Sequence, residues 1–408
     1  MTRLSETPLG NQWLRSFDDA DERATAALLI DEILLVSRND LTRGLRQEIG
    51  KILAAPDDAE RPVALFAERA VPKTRGMTQP LFPNSASGRA TGPGVPPIVA
   101  NPSDQEIGSE GLIANLITDL VRHSGRHALS HPGPDRMRAK RVRHIVIVTD
   151  FIGSGKRVWE MLEAFRAVAT LRSWQSYKLL TFNVVAYSGT EEGLRIVRSS
   201  RLKPMISTVV GCPTIFNTFT GIQRSRVLTL CHRYPRRHKH PTGFSNGGAL
   251  IAFAHGMPNN APPILHCRTN GWDPMFPGRS TAGAEKSFPS EAKEIVAERA
   301  GRLLRIRNAN AYLSDMTGNR WITTMMVLAA IEAGARSLSS ASARSGLSLA
   351  CVEKILSYTQ IARWTTSRNT LTTLGQQELA RLRRHRRRSP VLPKPSIPFY
   401  YPTQLRAR

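Results

Sequence analysis

The chain has 408 residues, 41% of them hydrophobic, and a formal net charge of +25. That length allows two or three domains around real cores; no apolar run approaches the roughly 20 residues that cross a bilayer, and the polar stretch Met1 to Glu6 is no secretory signal. The four cysteines, Cys212, Cys231, Cys267 and Cys351, form no C-x-x-C pair, which argues against zinc and a disulfide framework and fits a reducing cytoplasm.

Residues 1 to about 55 read as helical, with apolar faces marked by Trp13, Phe17, Leu28, Ile30 and Leu34. Pro62 to Val71 reads as a short strand ending in the charged turn Glu68-Arg69. Pro72 to Pro102 is rich in Pro, Gly, Ser and Asn and predicts a long irregular loop. A helix is expected from Leu112 to His123, and 124–140 is basic and turn-rich.

The most informative stretch follows. Ile145 to Thr149 predicts a strand buried on both faces. Asp150 stands at its carboxyl end, then the turn Gly153-Ser154-Gly155, then a helix with Val158, Met161, Leu162, Phe165 and Val168 at helical spacing. Glycine N–H groups and a helix N-terminus beside an acid make a phosphate cradle, and the acid can accept from ribose hydroxyls or hold Mg²⁺ through water. Strands are expected at Leu179–Tyr187, Pro204–Gly211 and Gly248–Ala254, with a helix at Glu191–Ser199 and a strongly basic segment at 222–243. This alternation predicts a mainly parallel sheet with crossover helices. His255 and His266 are given no chemical role.

After about residue 310 the pattern changes to three helices, Trp321–Ala333, Ser339–Ser345 and Leu349–Tyr358, then a small hairpin around 361–372 and a last helix from Leu374. From Asn319 to Arg408, 15 Lys and Arg stand against 3 Glu, a concentration that favours a nucleic-acid-binding segment.

A Walker-type loop is disfavoured, because Asp150 takes its leading position and Arg157 its hydroxyl position. Val148 to Arg157 resembles the phosphoribosyltransferase family instead. The resemblance implies that Gly153, Ser154, Gly155 and Lys156 hold a 5′-phosphate, with Arg157 beside them. Asp150, next to Thr149, would hold ribose hydroxyls or Mg²⁺, and Glu68 and Arg69 would lie on the pyrophosphate side. The loop 72–100 would be a hood that closes over substrate. Thr149 stands where the family has the first of two acids, so one ribose and metal contact is missing. No zinc, flavin or haem is expected.

Segments 66–73, 107–120, 148–158, 210–218 and 248–266 are similar to phosphoribosyltransferase-like proteins of bacterial conflict and anti-phage systems, some of which accompany retron reverse transcriptases. The resemblance implies a defence effector of retron or toxin–antitoxin type, acting at ribose C1 of a phosphorylated ribose or nucleotide. Its alternatives are a non-catalytic nucleotide-sensing regulator, or an assembly subunit bound to a reverse transcriptase and its single-stranded DNA or RNA. The C-terminal part resembles a winged helix-turn-helix, with the third helix reading the groove. Its exposed residues would be Ser348, Glu353, Lys354 and Thr359. Arg344, Lys354, Arg363, Arg368 and the run Arg381, Arg383, Arg384, Arg386, Arg387 and Arg388 are the candidate nucleic-acid contacts. The predicted organisation is a helical segment 1–55, an α/β domain of type I phosphoribosyltransferase-like topology over 56–290, a winged helix over 315–388 and a Pro-rich tail over 389–408.

Overall fold

A computed structural model describes residues 3–54, 61–83, 85–97, 109–288, 300–301, 303–304, 316–347 and 349–384. The chain divides into two units, Met1–Glu291 and Ala292–Arg408. The predicted tail and Arg386, Arg387 and Arg388 lie outside the described residues.

The first unit opens with α1 (Pro8–Leu14) and α2 (Ala20–Asp31), each started by a side chain that accepts first-turn N–H groups, Thr7 and Asp19 respectively. A short strand β1 (Leu34–Val36) and α3 (Arg38–Leu53) follow, so the first 55 residues are not helical throughout. Next come β2 (Val63–Ala67), the small hairpin β3 (Lys73–Thr74) and β4 (Met77–Thr78), α4 (Ser109–Ser124), β5 (Ala128–Ser130) and α5 (Pro134–Ala139). The central strand β6 (His144–Ile152) leads into α6 (Lys156–Arg166) and α7 (Ala169–Ser176). β7 (Thr181–Gly189), α8 (Glu191–Arg198), β8 (Met205–Thr208), α9 (Ile215–Thr218), α10 (Gly221–Arg233) and β9 (Ile251–Phe253) complete the unit.

Five strands form one parallel sheet in the order β5-β2-β6-β7-β8. Side chains alternate along each strand. Ala64, Phe66, Ile145, Ile147, Phe182 and Val184 pack against Met161 and Phe165 of α6 and Leu171 of α7. Leu65, Val146, Val148 and Val185 face the other way, onto Leu41 and Leu45 of α3 and Ile117 of α4. Both faces are covered, which is why β6 and β7 read as unbroken apolar runs. The chain leaves β2 for β5 on one side and leaves β6 for β7 and β8 on the other. The order therefore reverses between β2 and β6, and ligands of open α/β sheets bind at such a switch point.

Several elements differ from the sequence reading. The 124–140 stretch contains β5 and α5, both too short for a periodic signal. β9 does not join the main sheet but pairs with β1 in a separate parallel pair. The basic 222–243 segment begins as α10, whose Val227 and Leu230 pack with Trp13, Phe17 and Trp272. The segment read as a hood is anchored over its described part. Leu81 N–H donates to the Ala164 carbonyl, Phe82 packs edge-on against Phe165, and Lys73 pairs with Glu160 at 2.7 Å.

The second unit contains α11 (Met316–Glu332), α12 (Leu338–Ser345), α13 (Leu349–Ile361) and α14 (Thr373–Arg384). Ser337 opens α12, and Gly346 closes it in the left-handed conformation at φ 70°. Val352, Ile355 and Leu356 of α13 pack inward on Val327 and Ile331 of α11. A wing lies between α13 and α14, where Thr365 bridges Leu371 and Thr366 N–H donates to the Thr370 carbonyl. Thr359, read as exposed, is fully buried, its hydroxyl bonded to the Leu356 carbonyl and to Thr365. Ser348 lies outside the described residues. Among the described residues no helix is long and apolar enough to cross a membrane.

Phe165 anchors the helix that carries the glycine turn, and it contacts the rings of Phe66, Phe82 and Phe182. Phe165→Ala is expected to destabilise the first unit by about 3–5 kcal/mol, read by urea unfolding. A loss below about 1 kcal/mol would show that α6 is not held by this cluster.

Candidate functional site

The glycine turn is fixed from both sides. Thr190 donates to the Gly153 carbonyl at 2.6 Å and accepts the Gly193 N–H, tying the turn to the start of α8. On the other side a Cβ at Gly153 would overlap the Asn260 side chain, and Asn260 in turn donates to the Phe244 carbonyl at 2.9 Å. Gly155 sits at φ 74° as the residue before α6, a conformation that favours glycine. The Lys156 N–H, the first of α6, donates to Ser154 Oγ at 3.4 Å, and the exposed Lys156 ammonium has no partner among the described residues.

Glu68 continues β2, its N–H donating to the Val148 carbonyl. It lies beside β6 at the switch point and is only 7% exposed. Thr149 Oγ1 is 3.2 Å from Glu68 Oε2 and 3.3 Å from Asp150 Oδ1. One hydroxyl therefore joins two carboxyl groups. Its single hydrogen serves only one of them at a time. Burial pushes the Glu68 carboxyl up from 4.5 to about 7, against the pull of Arg157, whose Nε lies 2.8 Å from Oε1.

Asp150 lies within the last residues of β6 rather than after it. Its Oδ1 accepts the Phe151 N–H at 2.8 Å, and its Oδ2 lies 2.8 Å from His255 Nε2. The His255 ring stacks on Phe253. In the neutral tautomer that directs Nε2–H at Asp150, Nδ1 carries the lone pair, and Nδ1 has no hydrogen-bond partner among the described residues. Sequence reasoning missed this histidine because 105 positions separate it from Asp150.

Arg157, expected beside the phosphate, is instead held by Glu68 and by Glu110 at the start of α4. Burial alone would lower its guanidinium, but Glu68 and Glu110 leave it above its ordinary value. Arg69 donates to the Pro96 carbonyl at 2.8 Å, and burial lowers it. Behind it, His131 Nε2 accepts the Ala67 N–H at 2.9 Å, so Nδ1 carries the proton and donates to Ser130. Burial, then Arg69, drops His131 to about 4. The site thus assembles Glu68, Thr149, Asp150 and the 153–156 turn, adds His255 and Asn260, and diverts Arg69 and Arg157 to protein partners. Among the described residues no cluster of three or more His, Cys, Asp or Glu is placed to hold a metal ion.

On the second unit Lys354, Arg363 and Arg368 are exposed. Arg381 is exposed beside Glu378, while Arg383 is paired with Glu332 through both terminal nitrogens, at 3.2 and 2.7 Å. Arg344 donates to the Ala333 carbonyl at the end of α11. The backbone of Arg384 ends α14.

The model of the PRTase-CE family matches residues 11–277, and a second model, described as wHTH-PRTase associated, matches residues 325–407. The chain belongs to the PRTase-CE family: a phosphoribosyltransferase-like α/β domain followed by a winged helix. No curated protein and no solved structure matches it.

The Glu68 carboxyl keeps its proton up to about pH 7 in the folded chain, against 4.5 in the ordinary group. Between those values the folded state binds more protons than the unfolded state, so Glu68 lowers stability as pH rises through that window. His131 acts oppositely: held neutral down to about 4 against an ordinary 6.5, it adds stability as pH rises between those values. Glu68→Gln removes only the first effect. The stability of wild type minus that of the variant should fall between about pH 4.5 and 7 and then level off, measured by urea unfolding. A difference independent of pH would mean that Glu68 titrates in the folded chain as an ordinary carboxyl.

Proposed function

We propose that the first unit binds a phosphorylated ribose, as phosphoribosyl pyrophosphate or a nucleotide, and that the winged helix couples this site to nucleic acid. The observation that carries the reading is the meeting of Glu68 and Asp150 on the Thr149 hydroxyl, beside a glycine turn that opens a helix, at the switch point of a parallel sheet. The turn and the first N–H groups of α6, with Lys156, take the 5′-phosphate. Asp150 takes the ribose hydroxyls. Mg²⁺ suits an oxygen donor such as Asp150 together with the ligand's own phosphates, and would neutralise charge on a pyrophosphate leaving group.

The chemistry open to such a site is transfer or hydrolysis at ribose C1. The oxygen of a water or hydroxyl forms a bond to C1, the bond from C1 to the base or pyrophosphate breaks, and the nucleophile's proton passes to His255 Nδ1. Asp150 orients the imidazole for that step and stabilises its charged form. In this reading the cellular role is defence against phage, as an effector of retron or toxin–antitoxin type. It rests on the resemblance of the segments around 66–73, 148–158 and 248–266. A second reading, favoured by Thr149 in place of an acid, is a ligand sensor that does not turn over, or a subunit that assembles with a reverse transcriptase and its nucleic acid.

Asp150→Ala is expected to weaken binding of phosphoribosyl pyrophosphate or a mononucleotide by ten-fold or more, since a hydrogen bond to a charged group is worth about 1.5–3 kcal/mol. His255→Gln should bind as wild type yet form no product. Calorimetry with Mg²⁺ present reads the first and mass spectrometry of products the second. Unchanged binding by Asp150→Ala would sink the ribose reading, and product formation by His255→Gln would remove the histidine from the chemistry. For the winged helix, Arg363→Glu and Arg368→Glu should each lower the salt dependence of nucleic-acid binding by about one counterion. An unchanged slope would place the nucleic acid elsewhere.

A further inference from the structure

One feature of the first unit has no part in holding a mononucleotide. From Gly193 to Trp272 the chain carries 11 Lys and Arg and no Asp or Glu. Of these, Arg195, Arg233 and Arg268 pair with acids outside the stretch, Glu192, Glu22 and Asp273. Exposed protein surfaces ordinarily intersperse both signs. Within this stretch α10 and the loop that follows it supply six cations, Arg224, Arg226, Arg233, Arg236, Arg237 and Lys239. Arg233 pairs with Glu22, and Arg224 donates to the Phe219 carbonyl. The other four are exposed and have no partner among the described residues.

A chain of contacts joins this loop to the phosphate turn. Gly153 packs against Asn260. Asn260 donates to the Phe244 carbonyl, and Phe244 N–H donates to the Asn259 carbonyl. The Phe244 ring lies edge-on to His240, 6.0 Å between centroids, next to Lys239. His238 reaches back to Cys267. Two aromatic rings stay open to solvent here, Phe244 at 41% and Phe216 at 42%, the latter against Gly248. Exposed cations and exposed rings in one stretch of chain are what a single-stranded polynucleotide requires: charge for its backbone and flat apolar faces for its unstacked bases.

We infer that the site receives its ribose as the terminal nucleotide of a single-stranded polynucleotide. The following phosphates run over Arg226, Arg236, Arg237 and Lys239, and the neighbouring base stacks at Phe244. This inference rests on the ribose-binding reading above and names its substrate class. It also gives the first unit a nucleic-acid surface of its own, independent of the winged helix.

The test uses the full chain and a 5′-phosphorylated single strand of about 12 nucleotides, within the usual site size of such surfaces, made once as DNA and once as RNA. Two variants are compared with wild type: Phe244→Ala, and the combined change Arg226→Ala, Arg236→Ala, Arg237→Ala and Lys239→Ala. All five side chains are exposed, so the fold should tolerate the changes. Phe244→Ala should weaken oligonucleotide binding roughly ten-fold, the loss of one stacked base. The combined variant should lower the slope of log affinity against log salt by about 3, at roughly 0.7 per phosphate contact. Both variants should bind phosphoribosyl pyrophosphate as wild type does, and saturating phosphoribosyl pyrophosphate should displace the end of the strand and weaken its binding. The DNA and RNA arms decide which polymer is taken. Wild-type oligonucleotide affinity and salt slope in both variants would overturn the inference and leave the ribose reading standing. So would oligonucleotide binding that phosphoribosyl pyrophosphate does not affect. A wild-type protein that binds no phosphoribosyl pyrophosphate or mononucleotide would remove the ribose reading and this inference with it.

Discussion

Two carboxyl groups at the ends of neighbouring strands set the terms for everything around them. Glu68 and Asp150 share the Thr149 hydroxyl at the switch point of the sheet. Like charges at such a distance in a part-buried setting disfavour double ionisation. The protein answers in two ways. Asp150 accepts the Phe151 N–H on one oxygen and faces His255 Nε2 with the other. Glu68, buried more deeply, is pushed toward the protonated form by that burial, with Arg157 opposing. Glu68 is thus a carboxyl that burial moves to about 7, into the range that acid–base chemistry uses.

The Thr149 substitution takes on a different meaning in this geometry. In sequence it removes one of two adjacent acids. In space a second carboxyl is still present, delivered from β2 instead of β6, and Thr149 is the group that connects it to Asp150. The adjacency the family pattern expresses along one strand is met here across two. Glu68, however, is already paired with Arg157 and is buried. It is therefore a proton-carrying neighbour of Asp150 more than a second ribose ligand, a difference that a pattern of residue types along one strand does not convey.

Which parts of this were legible in the sequence follows from the range of the interactions. The run from Ile145 to Lys156 is local: strand, acid, glycine turn and helix occur in order, and the structure places them so. The helices of the second unit are local too, and their periodicity located them. The hidden parts are the long-range ones. β5 spans three residues and is a strand only because Val63, Ala64 and Leu65 lie beside it. β9 reads as a strand in any context, yet only its register with β1 shows that it leaves the main sheet. His255 gains its role from a partner 105 positions away. Arg157 and Arg69 read as free cations, and the carboxylate and carbonyl that claim them come from other elements.

The distribution of charge separates composition from design. An arginine-rich composition alone would spread cations evenly and leave acids among them. Here 11 Lys and Arg stand without an acid from Gly193 to Trp272, and 15 stand against 3 Glu from Asn319 to Arg408. The two concentrations fall in different units. Each pays a self-repulsion cost that a folded domain does not need for its own stability. A polyanion relieves that cost in both units. A phosphorylated small molecule gains nothing from either concentration. The charge pattern is therefore better matched to a polymer than to the mononucleotide that the glycine turn alone would suit.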